Sequence, residues 1–428
     1  MKFSICNLGC KVNAYEAESI ASQLSERGWQ RVPFGEYADA ALIFTCAVTN
    51  TAASKSRKMM HRAKKTNPAC VTAMVGCYAE INDGRLDEAE LIIGTQYKKN
   101  TADLLENYFR DRQPVRAFST EAALPFDDLI TSSFESRTRA YLKIQDGCNQ
   151  FCTYCVIPYA RGRERSMDPD LAVKTAASIA KTHSEIVLTG IHTGRYGREH
   201  GVSLASLMRR ILSEVPQLQR LRISSIEMNE VNDELIALMR EDARVARHLH
   251  IPLQSGEDEV LRQMGRPYDT EMYYSRLCEI REQLPDAAVS CDLIVGFPGE
   301  SDEQFEKTCA FIRKCGFSFL HVFPYSARTG TKAAAMKGQV PPLVKKERVG
   351  RCLAIRDELH RAYCMSKAGS EAAVIAEEND GIYTKGYTSD YIPVSIKGIY
   401  GHGVSVRVRL LTYEDGRMIA ERIENETD

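Results

Sequence analysis

Cys148, Cys152 and Cys155 stand at C-x3-C-x2-C, in a turn that follows an apolar strand-like run over 141–144. So many soft ligands in so few residues exceed what packing asks for. Three thiolates suit three irons of a 4Fe–4S cluster and leave the fourth iron open to a substrate or cofactor. Zinc is the alternative reading. A structural zinc site usually takes four ligands, commonly from two close cysteine pairs, and no fourth Cys or His lies nearby in sequence.

A second cysteine set is spread over residues 1–125. Strand signals at 2–8, 40–44, 71–75 and 90–93 alternate with helical patterns at 16–27 and 52–65. This alternation predicts a Rossmann-like parallel sheet of βαβ units. Cys10, Cys46 and Cys77 each fall just beyond one of the first three strands. The carboxyl ends of parallel strands share one edge, where open α/β folds bind ligands, so the three thiols are expected to converge there. Buried cysteines are common, and chance is the alternative; the same position after three successive strands speaks against it. Cys6, inside a strand, and Cys70, at the start of one, read as packing residues. The helix after Cys46 carries Lys55, Arg57, Lys58, His61, Arg62, Lys64 and Lys65. A solvated face is the first reading and a guide for a polyanion the second. Residues 110–134, with Pro114 and Pro125, read as a linker or lid.

Six strand candidates follow, at 141–145, 185–189, 219–226, 248–253, 288–295 and 317–323. Helical patterns at 169–181, 204–214, 233–241, 270–283 and 303–314 separate them. Six such units predict a partial (β/α)6 TIM-like barrel over 135–367, with its site on the rim at the strand carboxyl ends. The cysteine turn and the segments at Thr189-Gly190, Ser224-Ser225, Gln254-Ser255-Gly256, Gly296-Phe297-Pro298-Gly299 and Tyr325-Ser326 would share that rim. Over 368–428 the period changes to two: Val404, Val406, Val408 and Leu410 alternate with Ser405, Arg407 and Arg409. Glycine-bearing turns divide this part into about five strands, a small antiparallel OB-like β-barrel. Lys385, Lys397, Arg407 and Arg409, interleaved with Tyr383, Tyr387 and Tyr391, offer charge and stacking to an oligonucleotide. A capping or dimer module is the rival reading.

Composition bounds the rest. The chain of 428 residues is 44% hydrophobic and 26% charged with a formal net charge of -1, an ordinary globular balance with no global basic field. No signal-peptide core opens it and no apolar run is long enough to span a bilayer. Fourteen cysteines without a secretory signal favour metal binding over disulfides. A cytoplasmic protein with no membrane partner is the expectation.

The C-x3-C-x-aromatic-C pattern, with Tyr154 as the aromatic, resembles the signature of radical S-adenosylmethionine (SAM) enzymes. In that family the open iron is chelated by SAM. The resemblance places the loop for the methionyl amine at Thr189 and Gly190, though without the acidic form of that loop. It places the later adenine segment at 292–300, with Val295 and Gly296. Tyr154, Ser224, Glu227 and Gln254 are further cofactor-binding candidates. Arg222 and Arg328 are polar candidates with surface pairing as the alternative, and Arg161, Arg163 and Arg165 would meet SAM or a substrate phosphate, or else form a solvated loop. The terminal stretch resembles a TRAM domain, an RNA-binding barrel. The order of the three parts resembles the methylthiotransferase family. Within it, Asn7-Leu8-Gly9-Cys10-Lys11-Val12-Asn13 and Thr45-Cys46-Ala47-Val48-Thr49 are similar to the branch acting on N6-threonylcarbamoyladenosine of tRNA.

That resemblance implies two 4Fe–4S clusters and SAM. One cluster, on Cys148, Cys152 and Cys155, would split SAM to a radical. The other, on Cys10, Cys46 and Cys77, would carry the sulfur to be inserted. The substrate implied is the base at position 37 in the tRNA anticodon loop, with a flavodoxin- or ferredoxin-type electron donor and a sulfur source as partners. Isopentenyladenosine of tRNA and an aspartate of ribosomal protein S12 are the alternative targets. A two-cluster electron carrier and a zinc-bearing RNA scaffold are the non-enzyme alternatives.

Overall fold

The computed structural model describes residues 1–81, 84–118, 125–131, 134 and 138–423. The first sheet has six parallel strands: β1 (Lys2–Asn7), β2 (Gln30–Arg31), β3 (Ala40–Thr45), β4 (Val71–Gly76), β5 (Leu91–Ile93) and β6 (Val115–Ala117), in the order β2-β1-β3-β4-β5-β6. This is the flavodoxin-like variant of the doubly wound order, whose switch point lies between β1 and β3. All six residues of β3 and all six of β4 are buried, because helices cover both faces of a central parallel strand. That is why they read as mostly apolar runs, broken only by Thr45, Thr72 and Gly76.

The expected linker is more ordered at its start than its composition suggests. The helix Thr101–Asp111 runs into it and β6 adds an edge strand. Further on, Tyr15 Oη donates to the Leu129 carbonyl (2.8 Å) and Lys143 Nζ to Asp127 Oδ1 (2.6 Å). Those described residues form a strap across the junction; the remainder of the expected lid, 119–124 and 132–133, lies outside the described residues.

The middle of the chain forms the partial barrel. Its wall strands are β7 (Arg139–Lys143), β10 (Glu185–Thr189), β11 (Arg220–Ile223), β12 (His248–His250), β13 (Ala288–Val295) and β14 (Phe319–Pro324). β11-β10-β7 and β12-β13-β14 are parallel three-stranded sheets, joined by bridges at Leu221↔Val245 and Ser225↔His250. Two short strands, β8 (Gln145–Asp146) and β9 (Arg165–Ser166), pair beside the cysteine loop. A long helix, Pro342–Ser366, packs on β14 and leads into the last part.

There β15 (Glu371–Asn379), β16 (Tyr383–Tyr387), β17 (Pro393–Lys397), β18 (Ser405–Glu414) and β19 (Arg417–Arg422) close a barrel in the order β15-β16-β17-β19-β18. Val406, Val408 and Leu410 are buried while Arg407 and Arg409 are exposed, as the period-two pattern requires. One expectation is corrected: β17 and β19 run parallel, so the barrel is not wholly antiparallel. β17 must cross past the β18–β19 hairpin to close the ring, and closure removes the free edges.

The small barrel docks under the amino ends of the large barrel's strands. Arg220 Nη2 donates to the Ala373 carbonyl (2.9 Å), Arg222 Nη1 to that of Ser389 (3.0 Å), and Glu185 pairs with both arginines. This seam also takes two of the aromatics expected to stack on RNA. Arg139 lies over the rings of Tyr387 (4.8 Å) and Tyr391 (5.1 Å), and Arg222 over Tyr391 (4.3 Å). Tyr391→Ala is therefore expected to destabilise the protein by about 2 kcal/mol, from a lost cation–π pair and lost packing. Urea unfolding followed by tyrosine fluorescence checks it; an unchanged midpoint would return Tyr391 to a surface role.

Candidate functional site

The cysteine loop is fixed by its own backbone. β8–β9 pairing closes its neck, and the Cys148 amide donates to the Gly162 carbonyl (3.1 Å). Gly147 has φ +74°, and a Cβ there would stand 1.9 Å from the Arg163 carbonyl oxygen, so only glycine fits immediately before Cys148. Thr153 ties the middle of the loop to the end of the helix Asp258–Met264, donating from its amide to Met264 (3.0 Å) and from Oγ1 to Gln263 (2.8 Å).

Each thiol has its own electrostatic setting. Cys148 Sγ lies 3.6 Å from His192 Nδ1. His192 is also held by Glu164 (3.3 Å) and Glu230 (2.9 Å). Burial disfavours charge on that ring, but the thiol and the two carboxylates outweigh it and push its pKa up to about 11, so the ring is an imidazolium at neutral pH. Cys152 Sγ accepts from Arg266 Nη1 at 3.4 Å; Arg266 pairs with Glu227 and covers the Tyr268 ring. Burial raises the Cys152 thiol, against the pull of Arg266, and pushes Cys155 up to about 12. Thiols so reluctant to ionise are poor nucleophiles and become thiolates when a metal takes the proton's place.

The second set gathers at the sheet's switch point. Cys10 caps the helix Lys11–Glu26 after β1, and Cys46 and Cys77 directly follow Thr45 and Gly76, which are paired across β3 and β4. Asn13 binds the group together, donating to the Thr45 carbonyl (3.1 Å) and accepting from Cys10 Sγ (3.6 Å) and Arg161 Nη2 (2.8 Å). Arg161 Nε donates to Cys77 Sγ at 3.1 Å. Burial pushes Cys46 up to about 11, with the neighbouring Cys77 and Cys10 adding to the shift. Burial likewise raises Cys77 against the pull of Arg161. No disulfide occupies these cysteines; all 14 are free. Two sets of three soft ligands fit iron–sulfur clusters.

A cavity of about 230 Å³ lies beside the first set: Val48 and Thr49, just after Cys46, face Tyr154, Cys155 and Gln254 across it. Gln254 holds φ +69°, a left-handed backbone that a non-glycine residue adopts at a cost and that clusters at functional sites. Tyr154 and Gln254 thus meet at the cavity. Thr189 is buried at the end of β10, and Gly190 abuts Gln145, which also holds the His192 amide (2.7 Å). Ser224 lies near Thr193 (3.3 Å) on a separate cavity, and Glu227 is engaged by Arg266 beside Cys152. Val295 packs its side chain in the hydrophobic core, and the Gly296 amide donates to Glu300 Oε2 at 2.6 Å.

Of the three arginines after the cysteine turn, Arg161 and Arg165 are drawn into ion pairs while Arg163 stays exposed. Arg161 is wholly buried against Glu16 and Asp146, Arg165 bonds Asp146 (3.1 Å), and Arg163 lies over Phe151. Arg222 is likewise committed, to Glu185 and the seam. Sequence reasoning missed His192, Arg266, Asn13 and Glu16. The signal for His192 was its place two residues after Gly190, in the loop already expected on the rim. The exposed cations of the helix Asn50–Thr66, Lys55, Lys58, Arg62 and Lys65, form a solvated face, while Arg57 turns to Tyr78 (3.1 Å) on the wall of a cavity of about 760 Å³ that Arg85, Tyr159 and Arg328 also line.

A cysteine loop on the rim of a six-stranded parallel barrel places the chain among radical SAM enzymes. The Radical SAM superfamily model matches residues 142–312, and the model of Uncharacterized protein family UPF0004 matches residues 2–94. The radical SAM methyltransferase TsrM of Kitasatospora setae, solved with cobalamin and a 4Fe–4S cluster, shares the fold at a TM-score of 0.60, with 13% identity over 78% of this chain and 77% of that one. Threonylcarbamoyladenosine tRNA methylthiotransferase MtaB of Bacillus subtilis is 41% identical, covering 96% of this chain and 95% of its own. The MtaB of Aquifex aeolicus is 35% identical over 95% and 100%. A tRNA-2-methylthio-N(6)-dimethylallyladenosine synthase of Thermobifida fusca is 32% identical over 89% and 78%. The chain belongs to the MtaB-type radical SAM methylthiotransferases, a family of SAM- and iron–sulfur-dependent enzymes.

Proposed function

We propose that this chain inserts a methylthio group at C2 of N6-threonylcarbamoyladenosine, position 37 of tRNA. The observation that carries the reading is the cavity in which Tyr154 and Cys155 of one cysteine loop face Val48 and Thr49, just past Cys46 of the other set, in a chain whose curated relatives at 41% and 35% identity bear that activity's name. In this reading Cys148, Cys152 and Cys155 hold the SAM-binding cluster, and Cys10, Cys46 and Cys77 hold the auxiliary one. When bound, these groups supply a radical and a sulfur donor, chemistry that no side chain offers at an unactivated aromatic C–H bond. Tyr154 and Gln254 wall the reacting compartment. Thr189, Gly190, Ser224, Glu227, Val295 and Gly296 are proposed to line the path of SAM, with Val295 and Gly296 acting through their backbone.

Residues 1–125 form the auxiliary-cluster domain in this account, 135–367 the radical SAM core and 368–428 the RNA-binding barrel. Arg57, Arg85 and Arg328 around the larger rim cavity suit the phosphates of an anticodon loop, whose unstacked base can be presented to a protein pocket. Among the described residues no helix is long and apolar enough to cross a membrane, in keeping with a cytoplasmic enzyme served by a flavodoxin- or ferredoxin-type donor and a separate sulfur source.

The test is mass spectrometry of tRNA nucleosides from cells lacking the gene. The 2-methylthio form of N6-threonylcarbamoyladenosine should disappear and return on complementation. Loss of the methylthio form of dimethylallyladenosine instead would move the chain to the activity named for its Thermobifida relative.

A further inference from the structure

A second compartment, of about 610 Å³, opens between the first turn of the helix Lys11–Glu26, the inner wall of the large barrel and the terminal barrel. It adjoins the cysteine cavity through one ion pair. His250 lines the second compartment, Asp292 lines the cysteine cavity, and the two meet at 3.2 Å (Nε2 to Oδ1). Arg222, His248 and His321 make this wall rich in nitrogen donors.

Lys11 enters the compartment without an ion pair or hydrogen bond to any described residue. Its position works against local structure, because a cation on the first residue of a helix opposes the helix dipole. No acidic residue in that turn offsets it. The carboxylates along the wall are already engaged, Asp357 by Arg356 (2.8 Å) and Asp390 by the Tyr363 hydroxyl (2.8 Å), while Asp415 is exposed in the turn at the outer mouth; Asp292, behind the wall, is engaged by His250. A second group is unfinished as well. His248 bonds Ser290 Oγ through Nε2 (2.9 Å), yet its buried Nδ1 has no partner. A buried polar atom left unpaired is costly; that holds for the His248 ring nitrogen, and with the exposed, unpaired Lys11 ammonium facing the same cavity it suits an anionic ligand with further polar groups.

We propose that this compartment takes the carboxylate-bearing amino-acid arm on N6 of the target adenosine, with Lys11 as counter-ion and His248 as a hydrogen-bond partner to the arm. The inference rests on the substrate reading above and deepens it. C2 and N6 sit on one six-membered ring, so an arm on N6 reaches a compartment beside the one that holds C2. An apolar arm would leave the ammonium desolvated and unpaired, which disfavours it.

The test uses the cluster-loaded full chain and two synthetic anticodon stem-loops. One carries N6-threonylcarbamoyladenosine and the other the methyl ester of that carboxylate. Wild-type protein should bind the acid more tightly by roughly 10- to 100-fold, the scale of a desolvated charge pair. Lys11→Met should erase that preference with iron and sulfide content equal to wild type, and Lys11→Arg should restore it. A Lys11→Met protein that still prefers the acid overturns the subsite while leaving the substrate reading intact. A wild-type protein that binds neither RNA overturns both.

Discussion

Cys148→Ala is expected to abolish cleavage of SAM to 5′-deoxyadenosine, whereas Cys46→Ala is expected to keep that cleavage and stop methylthio transfer. The two sets are separate pieces of covalent structure. Cys148 lies in a loop closed by β8 and β9 and held to the helix Asp258–Met264. Cys46 lies on the sheet of the first domain, just past β3. Alanine at 148 removes one of the loop's three thiols and leaves His192 facing a methyl group, with Glu164 and Glu230 as its remaining partners. Alanine at 46 opens the other set without touching the loop or its histidine. Anaerobic chromatography of SAM products, run beside nucleoside analysis of the RNA, separates the two outcomes. Wild-type rates of SAM cleavage in Cys148→Ala would exclude that loop as the SAM-cleaving centre, and loss of SAM cleavage in Cys46→Ala would make the two centres one functional unit.

The elements that could be read from the sequence are those that obey a single period. β10 and β13 fall at 185–189 and 288–295 as expected, because both are bounded apolar runs. The helices Leu204–Glu214, Asp233–Glu241 and Thr270–Gln283 also stand where expected, each opened by a capping side chain. β2 is two residues long and polar, so no pattern could announce it. The helix Pro342–Ser366 was missed because it buries few side chains, Arg348, Cys352, Ile355 and Cys364, and so shows no broad apolar stripe. The six cysteines were legible because their type and spacing carry chemistry by themselves. Arg161 was not: a loop arginine looks solvated until its partners arrive from far along the chain, and Asn13 and Glu16 come from almost 150 positions away. Tyr387 and Tyr391 misled for the same reason, since alternation along a strand tells which residues share a face and not what covers that face.

Glu16→Gln is expected to destabilise the protein by about 3 to 5 kcal/mol, the usual result of stripping one partner from a buried charge network. Glu16 is fully buried and meets Lys98, Lys143 (2.9 Å) and Arg161 (3.0 Å). Asp146 receives Lys143 (2.8 Å), Arg161 (2.9 Å) and Arg165 (3.1 Å), and Asp127 receives Lys143 (2.6 Å). The network joins the helix that starts at Cys10 to the strand pair that precedes Cys148, so it sets one cysteine centre against the other. Burial disfavours the Glu16 carboxylate, but Arg161, Lys143 and Lys98 outweigh burial and hold its pKa well below the ordinary range. A depressed carboxylate stabilises the fold above its unfolded-state pKa of about 4.3 and loses that contribution as pH falls toward the folded value. Wild-type stability should therefore fall steeply below about pH 4, and the Glu16→Gln curve should be shallower there, because its amide has no proton to take up. Urea unfolding across that range measures both effects. Equal midpoints at neutral pH would show that Asp127 and Asp146 alone neutralise the buried cations, and the junction would then owe its rigidity to the apolar contact of Tyr15 with Phe134.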